Sequence, residues 1–295
     1  MNTLLYLCYG PSRNFEEARY SILSVLRLQQ GIQPNFRIVI YTDAPDSFSD
    51  FEVETVAISS ATLEHWMGGS DYIHRRKTMT VIDALERFKG SIAFIDCDTY
   101  FLKPVDQLFA RIGPGRACLH LIEGRLEETR SAVDQSVSNL VRDNRFTDTE
   151  GRVLAISTDG RMWNSGVIGI HHDDLQLIVE SLHLTDQMWP KLQPWAPGKK
   201  AHHLEQFATG YFLERLKLSE CDDIVYHYWP EHLRDPFAKK VGHLVHPAQG
   251  MSLLDHANYA YQRRPQADLF RKVKMRVREF LRSAGVRVPG IRNSA

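Results

Sequence analysis

Two aspartates one residue apart, Asp96 and Asp98, close an apolar run in the segment IAFIDCDTYF, Ile92 to Phe101. On alternate residues of an extended chain they project from the same side. Carboxylates placed in this way either share a proton, each raising the other's pKa, or are neutralised together by a divalent cation. Hard oxygen ligands suit Mn²⁺ or Mg²⁺. The plainer alternative is that Asp98 caps a turn and Asp96 is merely exposed, since D-x-D is a common pair by chance. The histidines, 13 in all, widen the choice of ligands. His171-His172 and His202-His203 are adjacent pairs. They lack the i, i+4 spacing of a helical zinc site and are expected to face apart, so no zinc is expected there.

The elements that must carry the two aspartates follow from the hydrophobic pattern. Thr3 to Cys8 reads as a strand, broken by Tyr9-Gly10-Pro11. Asn14 to Gln30 then has Ala18, Ile22, Val25 and Leu26 at helical spacing, with Asn14 and Glu17 as a capping box and Gly31 closing the helix. Phe36 to Tyr41 is the next strand, Phe51 to Ile58 a third, and Glu64 to Tyr72 a loop rich in glycine and aromatics. Arg75 to Phe88 reads as a helix ended by Lys89-Gly90, and Ile92 to Ile95 as a buried parallel strand. Asp96 thus falls at the carboxyl end of a strand, the edge where open α/β sheets bind ligands. In the second half, strands are expected at Arg116 to Ile122, Val153 to Ser157, Val167 to His171 and in DDIVYHYW. Helices are expected from Leu126 to Asp143, Asp174 to Leu184 and His203 to Leu216. There is no internal repeat.

Composition places the chain among ordinary globular α/β proteins: 295 residues, 43% hydrophobic and 24% charged. Four cysteines stand far apart without C-x-x-C spacing, which suggests neither a zinc cluster nor a disulfide scaffold and fits a reducing, cytoplasmic setting. The start, MNTLLYLCYGPSRN, has no basic flank before its apolar stretch, so no signal peptide is expected. No apolar run is long enough to span a membrane. Formal net charge is zero, yet eight of the 36 basic residues and one of the 36 acidic residues lie between Leu269 and Ala295, leaving an acidic body and a basic tail. The domain reading is a body over 1–262 and a helical tail over 263–295.

The strand AFIDCDTYFLKPVDQLF resembles the D-x-D segment of nucleotide-sugar glycosyltransferases of the GT-A fold, in particular the glycogenin and lipopolysaccharide-glycosyltransferase group. The similarity runs from Thr3 to about Trp229. YGP…ARYSILSVL…FRIVIYTD looks like the nucleotide-binding half of that fold, WNSGVIGI like its N-S-G strand beside the donor sugar, and HLEQFATGYF like the acidic-Gln helix that follows. The resemblance implies a Rossmann-like GT-A domain, α/β with a mostly parallel sheet. It also implies an enzyme that moves a sugar from a nucleotide donor, UDP in this group, with retention of configuration. By position it implies that Asp96, Asp98 and His227 hold Mn²⁺ or Mg²⁺ and that Lys77 with Arg76 meets the diphosphate. Tyr9 and Asp43 should meet the uracil and ribose; Asn164, Ser165 and Gly166 the sugar. Glu205 and Gln206 fall at the reacting face. Glu205 stands where the family commonly has aspartate. It would be a general base if the enzyme inverts and a stabiliser of the oxocarbenium-like state if it retains. The family's H-x-x-G-x-x-K-P-W signature reads HYWPEHLRDPF here, leaving its lysine unplaced.

The residues themselves keep humbler alternatives open. His227 could pack among Tyr226, Tyr228 and Trp229; Arg76 could be a solvated helix start; Asp43 could form an Asx-turn before Pro45; Gly166 could be a hairpin glycine. Two other functions compete. One is an Mg²⁺-dependent phosphohydrolase of the haloacid dehalogenase type, though Tyr100 stands where that motif needs Thr or Val. The other is a non-catalytic nucleotide-sugar-binding module. The tail repeats Phe270, Val273, Val277 and Leu281 at helical spacing with basic residues between. A basic amphipathic helix of this kind would lie on an anionic membrane surface, suiting a lipid-linked or glycan acceptor, or else dock on the body. No basic-aromatic pattern points to nucleic acid.

Overall fold

A computed structural model describes residues 1–128, 132–194, 203–229, 231–248, 250–265 and 277. Strand β1 (Asn2–Cys8), helix α1 (Ser12–Leu28), strand β2 (Phe36–Thr42) and strand β3 (Glu54–Ala57) open the chain. Helices α2 (Ser60–Trp66) and α3 (Arg75–Phe88) lead to β4 (Ser91–Ile95), β5 (Thr99–Phe101), α4 (Asp106–Phe109) and β6 (Arg116–Arg125). Then follow α5 (Ala132–Asp143), β7 (Arg161–His171), α6 (Leu175–Met188), α7 (Leu204–Leu213), β8 (Lys217–Glu220), β9 (Val225–His227), α8 (Glu231–Leu244) and α9 (Leu253–Gln262). Seven strands form one sheet in the order β3-β2-β1-β4-β7-β6-β8. All neighbouring pairs are parallel except β4 with β7 and β6 with β7.

The central strands are apolar throughout because both faces are covered. Along β1, Leu4, Tyr6 and Cys8 enter one core, beneath α1, α8 and α9. Leu5 enters the other, which contains Val81, Ala84 and Leu85 of α3. A third cluster, under α5, α6 and α7, contains Tyr72, Phe207 and Trp189. Among the described residues no helix is long and apolar enough to cross a membrane. All four cysteines are free, though Cys97 lies against Cys8 and Cys221 against Cys118.

Several local expectations give way. Helix α1 starts at Ser12 after Pro11 and has no side-chain cap: Asn14 Nδ2 donates to the Tyr9 carbonyl, and Glu17 pairs with Arg13. Helix α2 runs into the expected loop from Glu64 to Tyr72, and its start is capped by Ser59 Oγ accepting from Thr62 N–H. Val153 to Ser157 forms no strand, only a single bridge from Val153 to Thr147. Strand β7 begins at Arg161, so Asn164, Ser165 and Gly166 lie inside a strand rather than before one. The expected helix from Leu126 begins as one short 3₁₀ turn, with α5 starting at Ala132. The exposed and half-buried β8 went unforeseen, having no apolar alternation. The break at Lys89-Gly90 is as expected: both have positive φ, 55° and 70°. Apart from its first residues and Val277, the basic tail lies outside the described residues, as does His202.

Candidate functional site

The turn carrying Asp96 and Asp98 is built by α1. Ser21 Oγ bonds both Tyr6 Oη at 3.0 Å and Thr99 Oγ1 at 3.1 Å, Thr99 Oγ1 donates to the Asp96 carbonyl at 2.9 Å, and Ser24 Oγ accepts from Phe101 N–H at 2.8 Å. These are buried polar groups that find one another, which fixes the strand end. On the other side Asp96 N–H donates to the Gly166 carbonyl at 2.9 Å. Strand β5 then pairs antiparallel with β9, setting Thr99 opposite His227, and Tyr228 N–H closes on the Asp98 carbonyl at 3.1 Å. A two-stranded ribbon thus brings in a histidine from 129 residues downstream.

His227 Nε2 stands 3.2 Å from Asp98 Oδ1 and 3.9 Å from Asp96 Oδ2. One ligand atom from each of the three residues lies within 4.8 Å of the others. The imidazole is oriented from behind. Asn164 Oδ1 accepts from Gly166 N–H at 2.9 Å, while Asn164 Nδ2 donates to Glu123 Oε1 at 3.0 Å. The amide oxygen is therefore the atom facing His227 Nδ1, at 2.9 Å, and Nδ1 is the donor. This leaves Nε2 facing the two carboxylates: as an imidazolium it donates to Asp98 Oδ1, and as a neutral ring it offers a lone pair to a cation held between them. Two carboxylates and one imidazole fit Mn²⁺ better than Mg²⁺, for which imidazole is a poor ligand. Burial pushes the Asp98 carboxyl up, but His227 and Arg234 more than offset it and hold it below the ordinary aspartate range. Asp98 is therefore ionised, with the Arg234 guanidinium beside it.

The other expected residues divide. Lys77, in the first turn of α3, reaches Asp96 Oδ2 at 2.9 Å, Ser165 Oγ at 3.3 Å and Glu205 Oε1 at 3.7 Å. Burial lowers its pKa, but Asp96 and Glu205 outweigh this and raise it, so it is an ammonium. Glu205 Oε1 accepts from Ser165 Oγ at 3.0 Å and Oε2 from Tyr72 Oη at 2.6 Å. Burial opposes its ionisation, but His74, Lys77 and Tyr72 prevail and lower its pKa. Gln206 Oε1 accepts from Ser165 N–H at 3.3 Å and Nε2 donates to Glu123 Oε2 at 3.4 Å. Asn164 and Ser165 are only 1% and 0% exposed. Their hydrogen-bonding groups, expected to face a sugar, are spent on His227, Gly166, Glu123 and Glu205. Gly166 is neither a hairpin glycine nor an open approach: a Cβ there would fall 2.1 Å from His227 Nδ1, so its missing side chain makes room for the imidazole.

Tyr9 and Asp43 follow β1 and β2 at the same sheet edge. Asp43 Oδ2 accepts from Gly10 N–H at 3.2 Å, joining the two strand ends; the Asx-turn role falls to Thr42, whose Oγ1 accepts from Ala44 N–H at 3.1 Å. Arg76 is not a solvated helix start. It donates to the Leu63 carbonyl at 2.9 Å and to Tyr9 Oη at 3.3 Å, with its guanidinium over the Tyr9 ring. The adjacent His171 and His172 do not face apart: their ring centroids are 4.8 Å apart, and both contact Asp173.

Three residues at the site were not anticipated. Tyr72 holds Glu205. Glu123 sits at a bulge of β6 and receives the Asn164 and Gln206 amides. Arg234, on α8, places Nε 3.4 Å from Asp98 Oδ2 and donates through Nη2 to the buried Glu17 at 3.3 Å. None carries a local signal, because each partner is dozens to hundreds of residues away.

No protein-family model and no curated protein matches the sequence. Among solved structures, the chain is similar to galactosyltransferase LgtC in complex with donor and acceptor sugar analogs, with a TM-score of 0.50 at 10% identity over 92% of this chain and 99% of that one. It is also similar to the apo form of mouse xyloside xylosyltransferase 1, with a TM-score of 0.47 at 14% identity over 85% of this chain and 96% of that one. The likeness to LgtC gives the chain its fold, GT-A. At these identities likeness speaks for fold alone.

Proposed function

We propose that this chain is a metal-dependent glycosyltransferase that moves a sugar from a UDP-sugar donor to a glycan or lipid-linked acceptor, with retention of configuration. The observation that carries the reading is the convergence of Asp98, Asp96 and His227 at the carboxyl edge of the parallel strands, on a GT-A fold. Held by Asp96, Asp98 and His227, a divalent cation, Mn²⁺ in our reading, would supply Lewis-acid stabilisation of the diphosphate leaving group. Lys77 adds a fixed positive charge beside Asp96, where negative charge develops on the departing phosphate. Tyr9 and Asp43, at the ends of β1 and β2, meet the base and ribose. Glu205 serves better as an ionised anchor than as a general base: both its oxygens accept hydrogen bonds from the protein, and its pKa is lowered. Its negative charge stabilises the oxocarbenium-like sugar, with Gln206 beside it. The basic stretch between Leu269 and Ala295 attaches the enzyme to an anionic membrane surface in the cytoplasm, where a lipid-linked acceptor would be met.

The test is slow hydrolysis of a panel of nucleotide sugars with and without Mn²⁺, comparing wild type with Asp98→Ala. Release of UDP from at least one donor, dependent on the metal and reduced at least about 100-fold in the variant, is expected. Phosphate release from simple phosphomonoesters, without any release of nucleotide from a sugar donor, would contradict the reading.

A further inference from the structure

Helix α7 begins at Leu204 without a cap of its own, since the side chain at its N-cap, His203, makes no capping hydrogen bond. The orphan N–H of Glu205 is satisfied from elsewhere: the Tyr72 hydroxyl oxygen accepts it at 3.0 Å, across 133 residues. The same hydroxyl donates its proton to Glu205 Oε2 at 2.6 Å. A single phenol thus caps the helix and clamps the carboxylate of its first turn. Burial and the neighbouring Glu205 charge push the Tyr72 phenol well above the ordinary tyrosine range, so it stays protonated and donates.

Tyr72 is itself held. Its ring packs on Trp189 with centroids 4.3 Å apart, and Trp189 Nε1 donates to Asp71 Oδ1 at 2.6 Å. Arg75 forms a two-point pair with Asp186 on α6, at 2.8 and 3.0 Å. The segment between α2 and α3 is therefore fastened to the end of α6 at three places, immediately before the turn of α3 that carries Lys77. Tyr72 sits where the positions of Lys77 and Glu205 are set together.

We propose that Tyr72 is a positioning residue for sugar transfer: it fixes the Glu205 carboxylate against Ser165 and Lys77, and so keeps the Lys77 ammonium shared between Glu205 and Asp96. The proposal rests on reading this site as that of a nucleotide-sugar transferase. Without the hydroxyl the carboxylate can turn about its terminal torsion, which is broad, and Lys77 loses one of its two carboxylate partners. Tyr72→Phe keeps the ring and its packing on Trp189 and removes the hydroxyl that makes both hydrogen bonds to Glu205.

The experiment measures UDP release from an active donor by wild type, Tyr72→Phe, Glu205→Gln and the double variant, with thermal unfolding to show that each is folded at the assay temperature. We expect Tyr72→Phe to lower kcat about 10-fold or more while donor KM stays within about 3-fold. In the Glu205→Gln background the same change should cost less than about 2-fold, because the group through which it acts is already altered. An equal loss in both backgrounds, an unchanged kcat, or a loss seen only in KM would overturn the proposal. Should Tyr72→Phe be unfolded, Trp189→Phe replaces it, removing the hydrogen bond to Asp71; a smaller kcat loss that again vanishes with Glu205→Gln is expected, and an additive one overturns the proposal. Wild type that releases UDP while Tyr72→Phe matches it removes this inference alone. Wild type that releases none removes the transferase reading, and the positioning role with it.

Discussion

Strands β4 and β7 pair antiparallel, and each end of the pair carries three side chains able to hold a metal: Asp96, Asp98 and His227 at one, His171, His172 and Asp173 at the other. The second group is three consecutive residues, and the Nδ1 atom of each ring is already engaged by backbone. His171 Nδ1 accepts from Asp173 N–H and His172 Nδ1 from Gly90 N–H, both at 3.3 Å, closing the turn after β7. The first group draws on β9 and the turn after β4, and its imidazole is turned by Asn164 so that Nε2 faces the carboxylates. Asp98 and His227 are buried, whereas Asp173 is exposed. Proximity alone does not separate the two groups. What separates them is which ring nitrogen the surrounding residues leave facing the carboxylates.

Breaking that arrangement should have graded effects. The largest is expected from Gly166→Ala, whose methyl would overlap the His227 ring; displacement of the imidazole should abolish measurable Mn²⁺ binding and cost about 3 kcal/mol of stability, read by denaturant unfolding. Next, Asn164→Ala should leave the fold intact but free the ring, weakening Mn²⁺ affinity about 10- to 100-fold in calorimetric titration. Acid should act more weakly. The folded-state pKa of Asp98 is lowered, so its contribution to stability is complete above the ordinary aspartate value of about 3.9 and is lost as pH falls below it. Wild type should therefore lose stability more steeply than Asp98→Asn on acidification from about pH 4 downward. The smallest effect belongs to the other group. His171→Ala with His172→Ala should leave Mn²⁺ affinity unchanged and cost about 1 kcal/mol for the lost turn hydrogen bonds.

The same contrast sorts what could be read in the sequence. The D-x-D position at a strand end was legible because an apolar run, Ile92 to Ile95, and a Gly-marked helix end bracket it locally. The partnership of His227 was legible only through a resemblance, since β9 has three residues and nothing in them names β5 as partner. Asn164, Ser165 and Gly166 were located, but their contacts with His227, Glu123 and Glu205 were not foreseen; side-chain direction within β7 depends on strand register, which composition does not encode. Tyr72, Glu123 and Arg234 were missed because a tyrosine in a glycine-rich loop, a glutamate at a strand bulge and an arginine on a late helix look solvated until the fold supplies their partners. Helix α2 was missed for a local reason: Ser59 signals its start, but Gly68 and Gly69 after it made its last turn, from Glu64, look like loop.

The proposal requires Asp96, Asp98 and His227, and not His171, His172 and Asp173 at the other end of the strand pair, to hold a divalent cation. Mn²⁺ titration followed by electron paramagnetic resonance, in the presence of UDP, tests it on wild type, His227→Ala and the His171→Ala, His172→Ala double variant. The account predicts one bound Mn²⁺ per chain in wild type and in the double variant, and none at the same concentrations in His227→Ala. Binding that survives His227→Ala, or that disappears with His171 and His172, would contradict it.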